Sequence, residues 1–386
     1  RFGSREGYDE SCFRGSPKGN GMIKEGIINI NKPAGMTSHD CIYAVRRLVD
    51  IKRVGHTGTL DPNATGVLPI CIGSCARIAE YTEIDIKEYD CTMTLGIVTD
   101  TQDIWGEVLL NERDELFAGR LAVTESDIRA AFSEFSGVIE QYPPKYSAVR
   151  YGGKRLYEYA REGRDIEIKS RRVYIESIDI KYIDLSLYTV NFSVRCGKGT
   201  YIRTICNDVG EKLGCGAVMS ALTRTKSGSF EIADAVDFSY LKELTGKKGA
   251  PEFEELVNSL ILPADYPLTA FGRAEIKTAD RARWFVNGGH IKLTETDIKR
   301  WPKYKNEEPP FAIRREYKDT YCVYGKLSGD DGSVHSGSAS LSERAEHGEV
   351  RSAENASLVF LGVAFYNYDY KKLVADKIFR RTDEGI

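Results

Sequence analysis

The sequence contains no run of about 18 or more apolar residues, the length a membrane-crossing helix requires. Its opening stretch, RFGSREGYDESCFRGSPKGNG, has no apolar centre of the kind an export signal carries. Neither a membrane span nor secretion is therefore expected. An excess of one charge is missing too: 54 Lys+Arg against 57 Asp+Glu give a net charge of −3, which excludes a uniformly basic, histone-like nucleic-acid binder. A nucleic-acid partner would have to meet a local patch. The nine cysteines are odd in number, form no regular ladder and include no CxxC pair, and only five histidines accompany them. They read as buried thiols of a reducing compartment, the cytoplasm, with no metal site expected.

What is present is a globular chain. Its 386 residues suggest two domains and perhaps a third appendage at about 150 residues per domain. Hydrophobic residues at 41% and aromatics at 10% suffice for a substantial core and exceed what a disordered chain carries. Met22 opens the first patterned segment, so residues 1–21 read as a tag, scar or extension, disordered and outside the fold.

Gly26 to Asn31 forms a β-rich run ended by the turn residues Lys32-Pro33-Ala34-Gly35. Thr37 and Ser38 can cap a helix with Ile42, Val45, Leu48 and Val49 on its apolar stripe. Tyr89, Cys91, Met93, Leu95 and Ile97 alternate with polar residues, which predicts a half-buried strand with Tyr89 facing inward. Thr124 and Asp127 make a capping box for a helix carrying Ile128, Ala131, Phe132 and Phe135. Strands follow at Val173–Tyr182 and Val190–Cys196. The second enters Gly197-Lys198-Gly199-Thr200, after which Ile202, Ile205, Val209 and Leu213 predict a helix that begins at Arg203's turn.

Leu262-Pro263-Ala264-Asp265-Tyr266-Pro267 reads as a boundary, dividing residues 22–265 from a small domain over 266–386. Within the latter, 328–357 is rich in Ser, Gly and Glu and is expected to be a mobile insertion between strands near Thr320–Tyr324 and Leu358–Ala364. Between Tyr142 and Lys226 there are 16 Lys+Arg against 9 Asp+Glu. This basic block inside an acidic chain fits a phosphate-facing surface, and a solvated sheet face would look the same.

The most informative stretch is Val54-Gly55-His56-Thr57-Gly58-Thr59-Leu60-Asp61-Pro62-Asn63-Ala64-Thr65-Gly66. Three glycines permit backbone shapes closed to other residues, and Pro62 pushes Asp61 out of the helical region. The chain is shaped around one carboxylate. Composition alone equally allows a helix start, with Asp61 as cap and Pro62 at the first position.

Five ordered motifs carry a resemblance. They are Lys32-Pro33 with Gly35-Met36-Thr37-Ser38; Gly55-His56-Thr57-Gly58-Thr59-Leu60-Asp61-Pro62 with Ala64-Thr65-Gly66; Thr99-Asp100-Thr101-Gln102-Asp103 with Gly106; Tyr146-Ser147-Ala148; and Lys198-Gly199-Thr200-Tyr201-Ile202-Arg203. Together they resemble the TruB family of tRNA pseudouridine synthases from about Met22 to Asp265. The tail, through Asn287-Gly288-Gly289 and Phe360-Leu361-Gly362-Val363, is similar to a PUA RNA-binding domain.

The resemblance implies an α+β pseudouridine synthase fold: a mixed, largely antiparallel sheet flanked by helices, followed by a small β-rich PUA-like domain. It implies isomerisation of uridine-55 in the tRNA T-loop, with base flipping, an aspartate nucleophile and no cofactor or metal. By this likeness Asp61 is the nucleophile. Arg203 pairs with it and orients it, although by itself it could be a surface arginine. Tyr89 stacks on the uracil, a place a core tyrosine would also fill. His56 fills the space left in the RNA, or else is a loop histidine satisfied by backbone. Tyr201, Leu222 and Lys32 align with further substrate-pocket residues, or else Lys32 is structural. The implied partner is the T-arm of tRNA, met by a cytoplasmic monomer that needs no protein partner and no membrane. Rival readings are a guide-dependent, dyskerin-like enzyme of ribosomal RNA, against which the segment Pro144 to Gly163 looks like the stand-alone bacterial form, and an RNA chaperone or tRNA-binding module with secondary catalysis. A retaining glycosidase would need a second carboxylate across the bond, which no motif supplies as clearly.

Overall fold

In the computed structural model, which describes residues 23–327 and 358–379, the alternating segments pair into one large sheet and one smaller one. The expected tag and the expected 328–357 insertion lie outside the described residues. No helix among those described is long and apolar enough to cross a membrane.

The large sheet has ten strands, built from β1 (Gly26–Lys32), β2 (Val54–His56), β3 (Thr65–Ile72), β4 (Lys87–Leu95), β5 (Gly137–Gln141), β6 (Arg171–Asp184), β7 (Thr189–Cys196), β8 (Ala217–Ser227), β9 (Phe230–Glu231) and β10 (Val236–Asp237). Their order is β10-β1-β3-β8-β4-β7-β6-β5, with β2 on β3 and β9 on β8. Only the β1–β10 and β3–β8 pairs are parallel, so the sheet is mixed and largely antiparallel. Among the helices that share its core are α1 (Ser38–Val49), α2 (Glu125–Ser133) and α3 (Ile202–Lys212). Their stripes, including Val45, Leu48, Ile128, Phe132, Ile205 and Val209, join Ile28, Leu68, Met93 and Phe192 in one core.

The helix starts follow the sequence closely. Thr37 caps α1 and Thr124 caps α2, each in a capping box closed by the aspartate three residues on. The Asp61-Pro62 helix start is overturned. Residues 61–64 make a tight turn, Ala64 N donating to Asp61 O at 3.1 Å, that delivers the chain from β2 into β3. The sheet already needs residues 65–72 as a strand, which leaves no length for a helix.

The second sheet has six strands and one helix, α4 (Ala279–Val286). Leu262, the first residue of the expected boundary, is hydrogen-bonded to Ile27 in both directions, at 2.9 and 2.8 Å. One apolar cluster joins Ile27, Val67, Cys71, Tyr81 and Phe230 of the large sheet's side to Phe271, Tyr317, Tyr324 and Val363. Hydrogen bonds cross the same seam, from the Tyr81 hydroxyl to Asp376 at 2.5 Å and from the Tyr317 hydroxyl to Glu80 O at 2.9 Å.

Candidate active site

The carbonyls on either side of Asp61 have donors aimed at them. The Ser38 hydroxyl donates to Leu60 O and accepts from Leu60 N, both at 2.9 Å. Gly35 N donates to Pro62 O at 3.0 Å. Lys32 Nζ donates to Pro62 O at 2.9 Å, to Met36 O at 2.7 Å and to Pro33 O at 2.8 Å. The Lys32-Pro33…Thr37-Ser38 motif therefore acts as a brace under the Asp61 turn, with Thr37 capping α1 and Ser38 holding the loop.

Of the two roles open to Lys32, these contacts favour the structural one: its side chain is wholly buried and its three donors go to carbonyls. Burial lowers its pKa from 10.5 to about 8, against the opposing pull of the Cys41 and Asp61 charges.

Asp61 itself points outward, its side chain 39% exposed, while Arg203 beside it is 5% exposed. Arg203 Nε lies 3.0 Å from Asp61 Oδ2, off the N–H axis, so the pair is a charge contact rather than an aligned hydrogen bond. The guanidinium is fixed by two other loops: Nη1 donates to Thr101 O at 2.9 Å and Nη2 to Tyr146 O at 3.1 Å. Three of the sequence motifs thus meet on one arginine.

Asp103 Oδ2 is 3.5 Å from Arg203 Nη1. Burial raises the Asp103 carboxyl, while the Thr101 hydroxyl and Arg203 pull the other way. Gly106 closes this loop because a Cβ there would sit 2.3 Å from Thr101 Oγ1.

Tyr89 faces inward on β4, 8% exposed, opposite Arg224 of β8. Burial raises its hydroxyl pKa; the nearby Arg224 charge opposes the shift and the Asp61 charge adds to it. Tyr201 precedes α3, and its peptide is clamped at both ends by the Gln141 amide: Tyr201 N to Oε1 at 2.8 Å, and Nε2 to Tyr201 O at 3.0 Å. Burial raises its phenol as well, with Asp61 and Arg203 both near enough to act on it.

Asp61, Arg203, Tyr89 and Tyr201 are therefore gathered at one place. Leu222, 8% exposed and opposite Cys91, belongs to the core that also holds Tyr89 and Leu60. His56 ends β2, where burial and then the Arg224 and His39 charges lower its pKa, keeping it neutral near pH 7.

Sequence patterns assign no role to Ser38 beyond capping, and none to Asp103, Gln141 or Arg224. Arg224 carried a usable signal: it stands two positions after Leu222 on the same inward strand face, where a charge needs a reason. Gln141 carried none, because its partner lies sixty residues away. No group of three or more potential metal ligands occurs among the described residues.

Comparison with known proteins places residues 46–202 in the TruB family pseudouridylate synthase N-terminal domain and residues 203–269 in the tRNA pseudouridylate synthase B C-terminal domain. The chain is 45% identical over 266 residues to tRNA pseudouridine synthase B of Alkaliphilus oremlandii, covering 69% of this chain and 82% of that protein. It is 41% identical over 304 residues to tRNA pseudouridine synthase B of Clostridioides difficile, covering 78% and 94%. Among solved structures, a Cbf5-Nop10-Gar1 complex shares the fold, with a TM-score of 0.61 and 22% identity over 92% of this chain and 85% of that one. At that identity the likeness speaks for the fold alone.

Proposed function

The chain belongs to the TruB family of pseudouridine synthases, and from that membership we propose that it isomerises uridine-55 in the T-loop of tRNA. It is a tRNA pseudouridine synthase, and the arrangement around Asp61 suits the chemistry. A carboxylate is needed at the sugar while its support stays fixed; the Asp61 side chain is 39% exposed, on a turn whose Leu60 and Pro62 carbonyls are tied down.

In this reading the uridine leaves its stack and lays its base against Tyr89, at a cost of a few kcal/mol that stacking and phosphate contacts offset. Asp61 acts on C1′ as the N1–C1′ bond breaks. The uracil turns, C5 bonds to C1′, the C5 proton departs and N1 gains one, so no oxidant or reductant enters. Arg203 holds the carboxylate throughout. Tyr201 and Leu222 bound the pocket, and neutral His56 fills the place the nucleotide leaves. The protein works as a cytoplasmic monomer, without a guide RNA or protein partner, and the basic 142–226 block meets the T-arm phosphates.

The observation that carries the reading is the 3.0 Å contact of Arg203 with Asp61, made by a guanidinium anchored to two further loops. Tritium release from C5-labelled, unmodified tRNA transcript tests it. Pure protein converts the transcript, and Asp61→Asn binds it equally well and converts none. No conversion by the pure wild type, or full conversion by Asp61→Asn, would overturn the reading.

A further inference from the structure

Arg224 is 1% exposed, among the largest fully buried side chains of the molecule. Its donors go to backbone carbonyls: Nε to Val67 O at 2.7 Å, Nη2 to Gly58 O at 3.1 Å and Nη1 to Thr59 O at 3.4 Å. Burying a guanidinium costs several kcal/mol even with good partners, so a plain sheet interior would do better with a leucine.

The three carbonyls are not equivalent in place. Gly58 and Thr59 lie just before Leu60-Asp61 on the way into the turn, and Val67 lies on β3 just after it. One planar fork thus grips the chain on both sides of the carboxylate. The strand bearing it pairs on its other side with β4, where Arg224 stands opposite Tyr89, and its charge acts on that hydroxyl. At the loop exit the two backbones nearly touch, since a Cβ on Gly66 would sit 2.2 Å from Arg224 O. Lys32 and Ser38 hold the Asp61 turn from the α1 side, and Arg224 holds it from the sheet side.

We propose that Arg224 is a positioning residue for the isomerisation, setting the distance between the Asp61 carboxylate and the Tyr89 ring. The proposal rests on the functional reading above for its rate effect, and on geometry alone for its effect on the loop. Lysine keeps the charge but gathers its donors on one nitrogen, whereas Arg224 spreads three nitrogens over the carbonyls of Val67, Thr59 and Gly58 in a fixed plane.

Arg224→Lys and Arg224→Gln are compared with wild type by single-turnover conversion of tRNA transcript, by tRNA affinity, by thermal unfolding, and by amide hydrogen exchange over residues 57–67 in the free protein. The expected result for Arg224→Lys is a rate reduced about 100-fold, the cost of a displacement near 1 Å. Affinity should stay within about threefold, and exchange over 57–67 should rise at least tenfold while the six-stranded sheet is unaffected. A second signature is graded behaviour, with Gln worse than Lys in rate and loop exchange but equal in affinity.

Unchanged loop exchange in both variants overturns the proposal, as does a loss confined to affinity. Uniform loosening or unfolding of the whole sheet in both variants also overturns it, because the contacts would then serve the sheet and not the turn. Faster loop exchange in a protein whose wild type converts no tRNA would sink the assigned reaction and leave the positioning role standing.

Discussion

Replacing Lys32 by Met keeps the length of the side chain and removes its charge. Three hydrogen bonds of 2.7 to 2.9 Å disappear with it, to Pro33 O, Met36 O and Pro62 O. At about 2 kcal/mol for each charged hydrogen bond, the contacts are worth roughly 6 kcal/mol. Against this stands the cost of burying the ammonium. The fall of its pKa from 10.5 to about 8 corresponds to about 3 kcal/mol. The expected net loss at pH 7 is therefore about 3 kcal/mol.

The sign of its pH dependence follows. Between about pH 8 and 10.5 the unfolded chain holds a proton on Lys32 that the folded chain has released, so folding becomes more favourable as pH rises through that window. Below pH 8 the whole burial cost is present. The stability gap between wild type and Lys32→Met should accordingly widen by about 2 kcal/mol between pH 7 and about pH 9.5. Denaturant unfolding of both proteins at pH 7 and at about pH 9.5 measures this. Because Pro62 follows Asp61, turnover of tRNA should also fall by about tenfold or more. A gap below about 1 kcal/mol at pH 7, or one that narrows as pH rises, would refute the reasoning.

Gly66→Ala places a Cβ 2.2 Å from Arg224 O on a residue at φ +101°; a loss of about 2 kcal/mol or more is expected in thermal unfolding. Gln141→Leu strands Tyr201 N and removes one of the two donors to Tyr201 O, the other being Ile205 N, with an expected cost of about 1–3 kcal/mol in denaturant and faster amide exchange at the start of α3. The basic block over 142–226 predicts that tRNA affinity falls at least tenfold between about 50 and 200 mM salt. Filter binding across that range tests it, and a flat response would exclude phosphate contacts as the main source of affinity.

Local signals carried much of the architecture. The capping boxes at Thr37 and Thr124 and the inward alternation through Tyr89 depend on residues within a few positions of one another, and each element forms where those residues place it. The motifs pointed to Asp61 and Arg203, which meet across 142 positions of sequence in a contact no local pattern encodes. What stayed illegible has one physical character: donors whose acceptors are backbone carbonyls far along the chain. Arg224 on Gly58, Gln141 on Tyr201 and Lys32 on Pro62 are of this kind, since a carbonyl leaves no mark on residue type. The same blindness allowed Asp61-Pro62 to read as a helix start.

The seam between the two sheets is an apolar cluster crossed by tyrosine hydrogen bonds, not a tether. The molecule is consequently a caliper with its jaws locked. Any point on the smaller sheet stands at a set span from the Asp61 carboxylate, and an RNA touching both must fit that gauge, since neither jaw can slide to meet it.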